Sequence, residues 1–195
     1  MPSPQTSHLT YRNVFLQSWP IMLANAAAPI VGLVDTLIIG RFSSTIALAG
    51  IGLGAVIYGI AYWGFGFLRM STAGLAAQSF GAERNDEVQA HLARAVPLGM
   101  LIGLGIFVMQ LPLINGALLI FSGTPDVEIS ASIYIKARIW GLPATLSSIA
   151  LMGWFVGVSR SGLALKMQLA LNAVNVILSP IFVIQFGWGL WGVGI

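Results

Sequence analysis

Residues 97–109 read Pro-Leu-Gly-Met-Leu-Ile-Gly-Leu-Gly-Ile-Phe-Val-Met. No charge interrupts the window, and its apolar side chains fall on every face of a helix. An outer-membrane strand alternates apolar and polar residues, so this stretch excludes a barrel and reads as a lipid-embedded helix. Working outward, apolar runs of the same kind recur at about 14–41, 46–69, 95–121, 131–158 and 168–187, and a sixth begins at Gly189. The last run is cut at Ile195, so the sequence is expected to be a fragment. Over the 195 residues, 57% are hydrophobic and only 8% charged, with a mean hydropathy of +0.88. A soluble domain carries about a quarter charged residues, so most of this chain belongs in lipid as an all-α integral membrane protein.

The small-residue patch Ala24 to Ala28 imitates a signal-peptide cleavage site. However, Pro20 interrupts the preceding run and hydrophobicity continues to Ile39, so 14–41 reads as a retained span. Absence of cysteine excludes disulfides and thiolate metal sites. The net charge of +3 comes from basic residues scattered between apolar runs, which offers no nucleic-acid patch. Those residues set topology instead. With the N-terminus in the cytoplasm, Arg12, Arg69, Arg84, Arg94, Arg160 and Lys166 fall inside, and Arg41, Lys136 and Arg138 outside, which the positive-inside rule favours.

Gly81 to Arg94 is the longest polar stretch. It is expected to be a cytoplasmic connector in which Asn85 or Asp86 caps an amphipathic surface helix bearing Val88, Leu92 and Val96 on one face, with a plain solvated loop as the alternative. His8 and His91 both read as solvated. Thr124-Pro125-Asp126-Val127-Glu128 suits a turn followed by an acid-biased helix start.

Asp35 is the one acid placed within an apolar run, about six residues or roughly 9 Å from the outer end of the first span. An ionised carboxylate there costs several kcal/mol unless it is protonated, paired or hydrated. Two readings follow: a group that binds a proton or a cation in a transport cycle, or an acid that reaches water or a neighbouring helix. Asn25, Pro29, Gly32 and Thr36 recur along one stripe of the same span, as expected of a cavity wall. In the fifth span Asn172, Asn175 and Ser179 share a face, which serves either as a cavity lining or as interhelical packing. Tyr62, with Tyr58 and Trp63, is a further candidate to face a substrate. Arg69 is about 35 Å down the second span, on the far side of the membrane from Asp35, and is expected to snorkel to the inner interface. Walker loops, paired metal-binding histidines and convergent intramembrane acids are absent from the sequence, so an enzyme is not expected.

Certain motifs carry a resemblance. Trp19-Pro20-Ile21, Gly32-Leu33-Val34-Asp35-Thr36 with Gly40, and Ala47-Leu48-Ala49 resemble the first span and loop of the multidrug and toxic compound extrusion (MATE) transporters. The run Gly66 to Leu75, then Ala77-Gln78 and Gly81-Ala82, is similar to the DinF-like branch, and Gln168, Asn172, Asn175 and Pro180 continue the match. The resemblance implies that residues 1–195 form the N-terminal six-helix lobe of a twelve-helix transporter, cut at the start of helix six, with a C-terminal lobe to follow. It further implies a bacterial inner-membrane antiporter that exports amphipathic, often cationic compounds in exchange for H+ or Na+ by alternating access. It needs no cofactor, and its partners are small molecules and membrane lipid. Asp35 and Asn175 match the family's ion-coupling positions; Asn25, Thr36, Tyr62, Asn172 and Ser179 remain cavity candidates. Many members have an acid where this sequence has Ser179. Its absence favours H+ acting through Asp35 over a two-carboxylate Na+ site there. The alternatives are a flippase for lipid-linked or other amphipathic metabolites and, more remotely, a membrane scaffold or an intramembrane enzyme.

Overall fold

The computed structural model describes Tyr11, Phe15, Ser18 to Pro20, Met22, Leu23, Gly32, Thr36, Leu37, Gly40 and residues 44–194. Ser44 caps the first helix described in full, its hydroxyl accepting from the Ala47 amide at 3.2 Å. Over residues 44–194, in chain order, the helices are α1 (Thr45–Gly64), α2 (Gly66–Gly81), α3 (Asn85–Val108), α4 (Gln110–Ile120), α5 (Pro125–Trp140), α6 (Leu142–Gly157), α7 (Ser161–Pro180) and α8 (Leu190–Gly194), with a π-helical turn, Ile181–Gln185, after α7. No strand occurs among the described residues.

α1 and α2 form one 37-residue rod broken only at Phe65, twelve residues longer at its C-terminal end than the run that ends at 69. At 1.5 Å per residue the rod is about 55 Å long, against about 30 Å of hydrocarbon, so one end stands clear of the lipid. α5 and α6 form a second rod, bent by 54° at Gly141. The two run side by side in the same direction. Gly50 lies on Ser130, Gly54 on Tyr134, Arg69 on Gly153 and Ala73 on Gly157. α3 crosses in the opposite sense, Gly99 on Leu146 and Gly103 on Pro143, while the Ser147 hydroxyl donates to the Val96 carbonyl (3.3 Å) and Trp154 Nε1 to that of Val88 (2.8 Å). Lipid tails are as apolar as leucine, so helices associate here through close van der Waals approach, which small residues permit, and through such hydrogen bonds. Leu68 and Leu146 are the largest fully buried side chains, at the point where α2, α3 and α6 meet.

The Gly81 to Arg94 stretch departs from expectation. Only Ala82, Glu83 and Arg84 form the turn; the N-cap of α3 is Arg84, without a side-chain cap bond, and Asn85 is already helical. No surface helix exists there: α3 is continuous from Asn85 to Val108 with Pro97 inside it. The reason is tertiary. Val88 is buried against Ala76 and Val158 and its carbonyl is taken by Trp154, so the apolar face covers protein instead of membrane surface. His91 is likewise not merely solvated. Its Nε2 lies 3.1 Å from the buried Ser79 hydroxyl, which in turn donates to Glu87 at 3.1 Å, and Arg84 pairs with Glu87 at 2.8 Å. The start of α5 follows expectation, with Thr124 as N-cap, Pro125 first, Asp126 and Glu128 in the first turn, and Glu128 accepting from the Gly123 amide at 2.9 Å.

Two turns close in the left-handed region on residues with a Cβ: Glu83 (φ 58°) after α2 and Ser159 (φ 59°) after α6. In each the next amide reaches back to the helix, Arg84 N to Ser79 O at 3.0 Å and Arg160 N to Phe155 O at 2.8 Å, which is the Schellman closure that favours glycine. A left-handed residue with a Cβ costs about 1–2 kcal/mol, of which the greater freedom of an unfolded glycine takes back a part. Ser159 is exposed. Ser159→Gly is therefore expected to stabilise the protein by about 0.5–1 kcal/mol, read as a raised melting temperature in detergent; an unchanged or lowered value contradicts this account of the turn.

Candidate functional site

α7 carries the polar groups that the sequence singled out. Gln168, Asn172, Asn175 and Ser179 are spaced by four, three and four residues and so form one stripe along a helix that is otherwise apolar. The Gln168 amide donates to Asn172 Oδ1 at 2.9 Å. Asn172 Nδ2 is buried and has no hydrogen-bond partner among the described residues, and an orphaned donor costs about 1–3 kcal/mol until an acceptor reaches it. Asn175 is half-buried and Ser179 is 4% exposed. Just beyond Ser179 the helix widens into the π turn, where Pro180 has removed a backbone donor. α7 packs on α6 and on the α8 end of the lobe, yet few of its residues are buried.

In the first span Thr36 is exposed and its hydroxyl donates to the Gly32 carbonyl at 2.8 Å, so that hydroxyl's proton is committed within its own helix. Asp35 and Asn25 lie outside the described residues. Tyr62 faces elsewhere than α7. It is stacked on Tyr58 (centroids 6.3 Å apart, 24° between planes), and both line an apolar cavity of about 520 Å³ where α1, α4 and α5 splay apart, with Phe65, Ile114, Phe121 and Ile139 among its walls and no residue of α7. Trp63, the third aromatic of the group, is 85% exposed and packs in no core. The structure thus brings Gln168, Asn172, Asn175 and Ser179 together and sets Tyr62 apart in a second, apolar recess. Arg69 is half-buried, with its backbone against Gly153 and its charge within electrostatic reach of Tyr62. Among the described residues no three His, Cys, Asp or Glu side chains converge as a metal site.

Sequence reasoning missed one polar centre. It counted Arg138 with the outer-side residues, close to the start of the 131–158 run, whereas α5 begins at Pro125, so Arg138 is its fourteenth residue. There the guanidinium lies over the rings of Tyr58 (5.5 Å) and Tyr134 (5.4 Å), and Nε donates to the Tyr134 hydroxyl at 3.0 Å. The signal available was Pro125 after Thr124, a helix start that moves the whole span outward by two turns.

Helices long and apolar enough to cross a membrane, one of them bearing a half-buried polar stripe, define a polytopic helical membrane protein. The MatE family model matches residues 20–181, and the chain belongs to this family, the MATE transporters. It is 32% identical over 159 residues to the DNA damage-inducible protein F of Escherichia coli K12, covering 82% of this chain and 35% of that protein. It is 31% identical over 149 residues to a probable multidrug resistance protein NorM of Aromatoleum aromaticum, covering 75% and 31%. The chain therefore spans about a third of the length of these curated relatives. Among solved structures, a multidrug resistance MATE transporter of the MOP superfamily in an outward-facing conformation superimposes with a TM-score of 0.82 at 20% identity, over 93% of this chain and 40% of that one. A MOP superfamily transporter from Pyrococcus furiosus gives 0.81 at the same identity and coverage. At that identity the structures establish the fold alone: this chain has part of the MATE architecture. The family is one of transporters, not enzymes.

Proposed function

We propose that the full-length protein is a secondary antiporter of a bacterial inner membrane, in which residues 1–195 supply the N-terminal of two six-helix lobes. It exports amphipathic, often cationic compounds by alternating access, in exchange for protons bound at Asp35 with the help of Asn175. The observation that carries the reading is the α7 stripe. A buried Asn172 donor without an acceptor is expensive in a packing surface but useful in a cavity wall, where a substrate, a water or a facing carboxylate supplies the acceptor. Membership of the MATE family and the relatives named as multidrug resistance proteins support the substrate class.

Orientation follows from the basic residues. Arg69, Arg94, Lys136 and Arg138 each lie nine or more residues from either end of a helical rod. Setting these aside leaves Arg12, Arg84, Arg160 and Lys166 on one side against Arg41 on the other, which favours a cytoplasmic N-terminus. Proton coupling is favoured over Na+ because Ser179 offers a neutral hydroxyl where many members of the family carry an acid, which removes one of the two expected cation ligands from this lobe.

The test is efflux of a fluorescent cationic amphipath from proteoliposomes holding the full-length protein. A proton gradient alone is expected to drive it and a Na+ gradient alone is not; efflux under Na+ alone, or under neither, rejects the reading. Ser179→Asp places a second carboxylate on the stripe and is expected to add Na+-driven efflux. Identical ion dependence in the variant and its parent counts against the role given to residue 179.

A further inference from the structure

The first half of α5 carries both signs of charge along one wall of a groove. Glu128, Ser132 and Lys136 line it together with Ile129 and Ile133, Leu118 of α4 stands opposite, and the space between them is about 420 Å³. A spacing of four residues keeps the three polar groups on one stripe of the helix. α1 leaves that stripe open, because it packs on α5 at Ser130 and Tyr134. Ile129 is 61% exposed, so the groove faces away from the described helices.

The charges are ordered along the membrane normal. Glu128 belongs to the first turn of α5, next to the polar connection that precedes it. Lys136 follows eight residues later, about 12 Å deeper at 1.5 Å per residue. Side chains of a helix lean toward its N-terminus, which here is the membrane surface, and a lysine lays its stem on apolar groups while its ammonium seeks polar ones. The Lys136 ammonium is thereby directed up the groove toward Ser132. Glu128 accepts from the Gly123 amide at 2.9 Å through Oε1, and a carboxylate accepts at both oxygens. The groove thus offers a cation and a hydroxyl below and a carboxylate above, beside an apolar wall.

A phospholipid with an ethanolamine headgroup presents the complementary order: acyl chains deepest, then a phosphate, then a primary ammonium nearest the water. We propose that the groove between α4 and α5 binds one phosphatidylethanolamine, its phosphate at Lys136 and Ser132, its ammonium at Glu128 and its upper acyl carbons against Leu118 and Ile133. Both polar contacts join opposite charges through hydrogen bonds, the stronger kind. Phosphatidylcholine has no N–H to donate to Glu128, and phosphatidylglycerol brings no cation to it. The order of charges requires only that α5 starts at a membrane surface, so the site is independent of transport direction and of the coupling ion.

Binding is read by native mass spectrometry of the full-length protein in detergent, with phosphatidylethanolamine, phosphatidylcholine and phosphatidylglycerol of identical acyl chains in competition. Phosphatidylethanolamine is expected to bind about fivefold tighter than either of the others, which corresponds to about 1 kcal/mol. Lys136→Gln lowers its affinity by a similar factor. So does Glu128→Gln, whose amide oxygen still accepts from Gly123 and spares the start of α5. Lys136→Arg keeps a cation for the phosphate and retains the preference. Equal binding of the three lipids by the parent overturns the proposal, as does an unchanged phosphatidylethanolamine affinity in either glutamine variant. Soluble glycerophosphoethanolamine competing as well as the lipid also overturns it, because the apolar wall then contributes nothing. Discrimination between ethanolamine and choline headgroups by the parent needs no variant, so it decides the matter if a glutamine variant does not fold.

Discussion

Asp35→Asn in the full-length protein reduces gradient-driven efflux of a verified substrate to background while membrane insertion and yield stay intact. Asparagine preserves the size and most of the hydrogen bonding of aspartate but can neither take up a proton nor carry a charge. A transporter whose coupling ion binds at this carboxyl therefore loses the exchange and keeps its fold. The argument rests on cost: an acid within an apolar run is disfavoured by several kcal/mol, and the sequence holds one such acid. In the proposed cycle its counterpart is the α7 stripe, where Asn172 Nδ2 has no acceptor among the described residues and Asn175 and Ser179 continue the polar face. Export of the same substrate at the parent rate by Asp35→Asn would falsify the coupling role outright, whatever becomes of the stripe.

Gly103→Leu produces a severe folding defect. A Cβ at Gly103 runs into the backbone of Pro143, with Leu142 C 3.0 Å away. Gly153 is the same device on the other side of α6, where a Cβ would lie 2.5 Å from the Arg69 carbonyl oxygen. Neither obstacle is a flexible side-chain tip, so α6 must move bodily away from α3 or from α2. Such a movement separates the helix faces whose close approach holds the lobe together, in a solvent offering no hydrophobic drive between helices. Overpacking at a site with some give costs about 1–3 kcal/mol; against rigid backbone the cost exceeds that range, and the variant is expected as aggregate or proteolysed chain. Gly105 is the control, two residues on in the same helix, exposed and with nothing within 4 Å of an added Cβ. Gly105→Ala gains helix propensity, about 0.5–1 kcal/mol, and its melting temperature does not fall. Monodisperse, parent-like Gly103→Leu protein on gel filtration contradicts the packing described here.

Much of the candidate site was legible because polar groups in lipid are costly and therefore conspicuous. Asn172, Asn175 and Ser179 stand out from an apolar background, and their spacing places them on one face before any coordinates are known. Tyr62 was legible only as an aromatic at depth; that it opens on an apolar recess between α1, α4 and α5 depends on where three helices diverge. His91 and Val88 were misread for a related reason. Their surroundings come from α2 and α6, and charge in a sequence window does not reveal a packed neighbour.

By itself the sequence determined that this chain is helical and lies in a membrane. Apolar windows long enough to cross leave no other way to satisfy the backbone than the hydrogen bonds within each helix, and that demand is local. It also marked out Asp35 as the one acid within an apolar run and the polar face of α7, since the expense of a polar group in lipid is a property of the residue and its surroundings. The tertiary structure alone decided that the rod containing α1 and α2 runs parallel to the rod containing α5 and α6, that Gly103 and Gly153 are points of backbone contact, and that Arg138 lies between Tyr58 and Tyr134. These depend on which helices meet and at what register. Close packing fixes them between segments some forty to eighty residues apart, and no periodicity within either segment encodes the match.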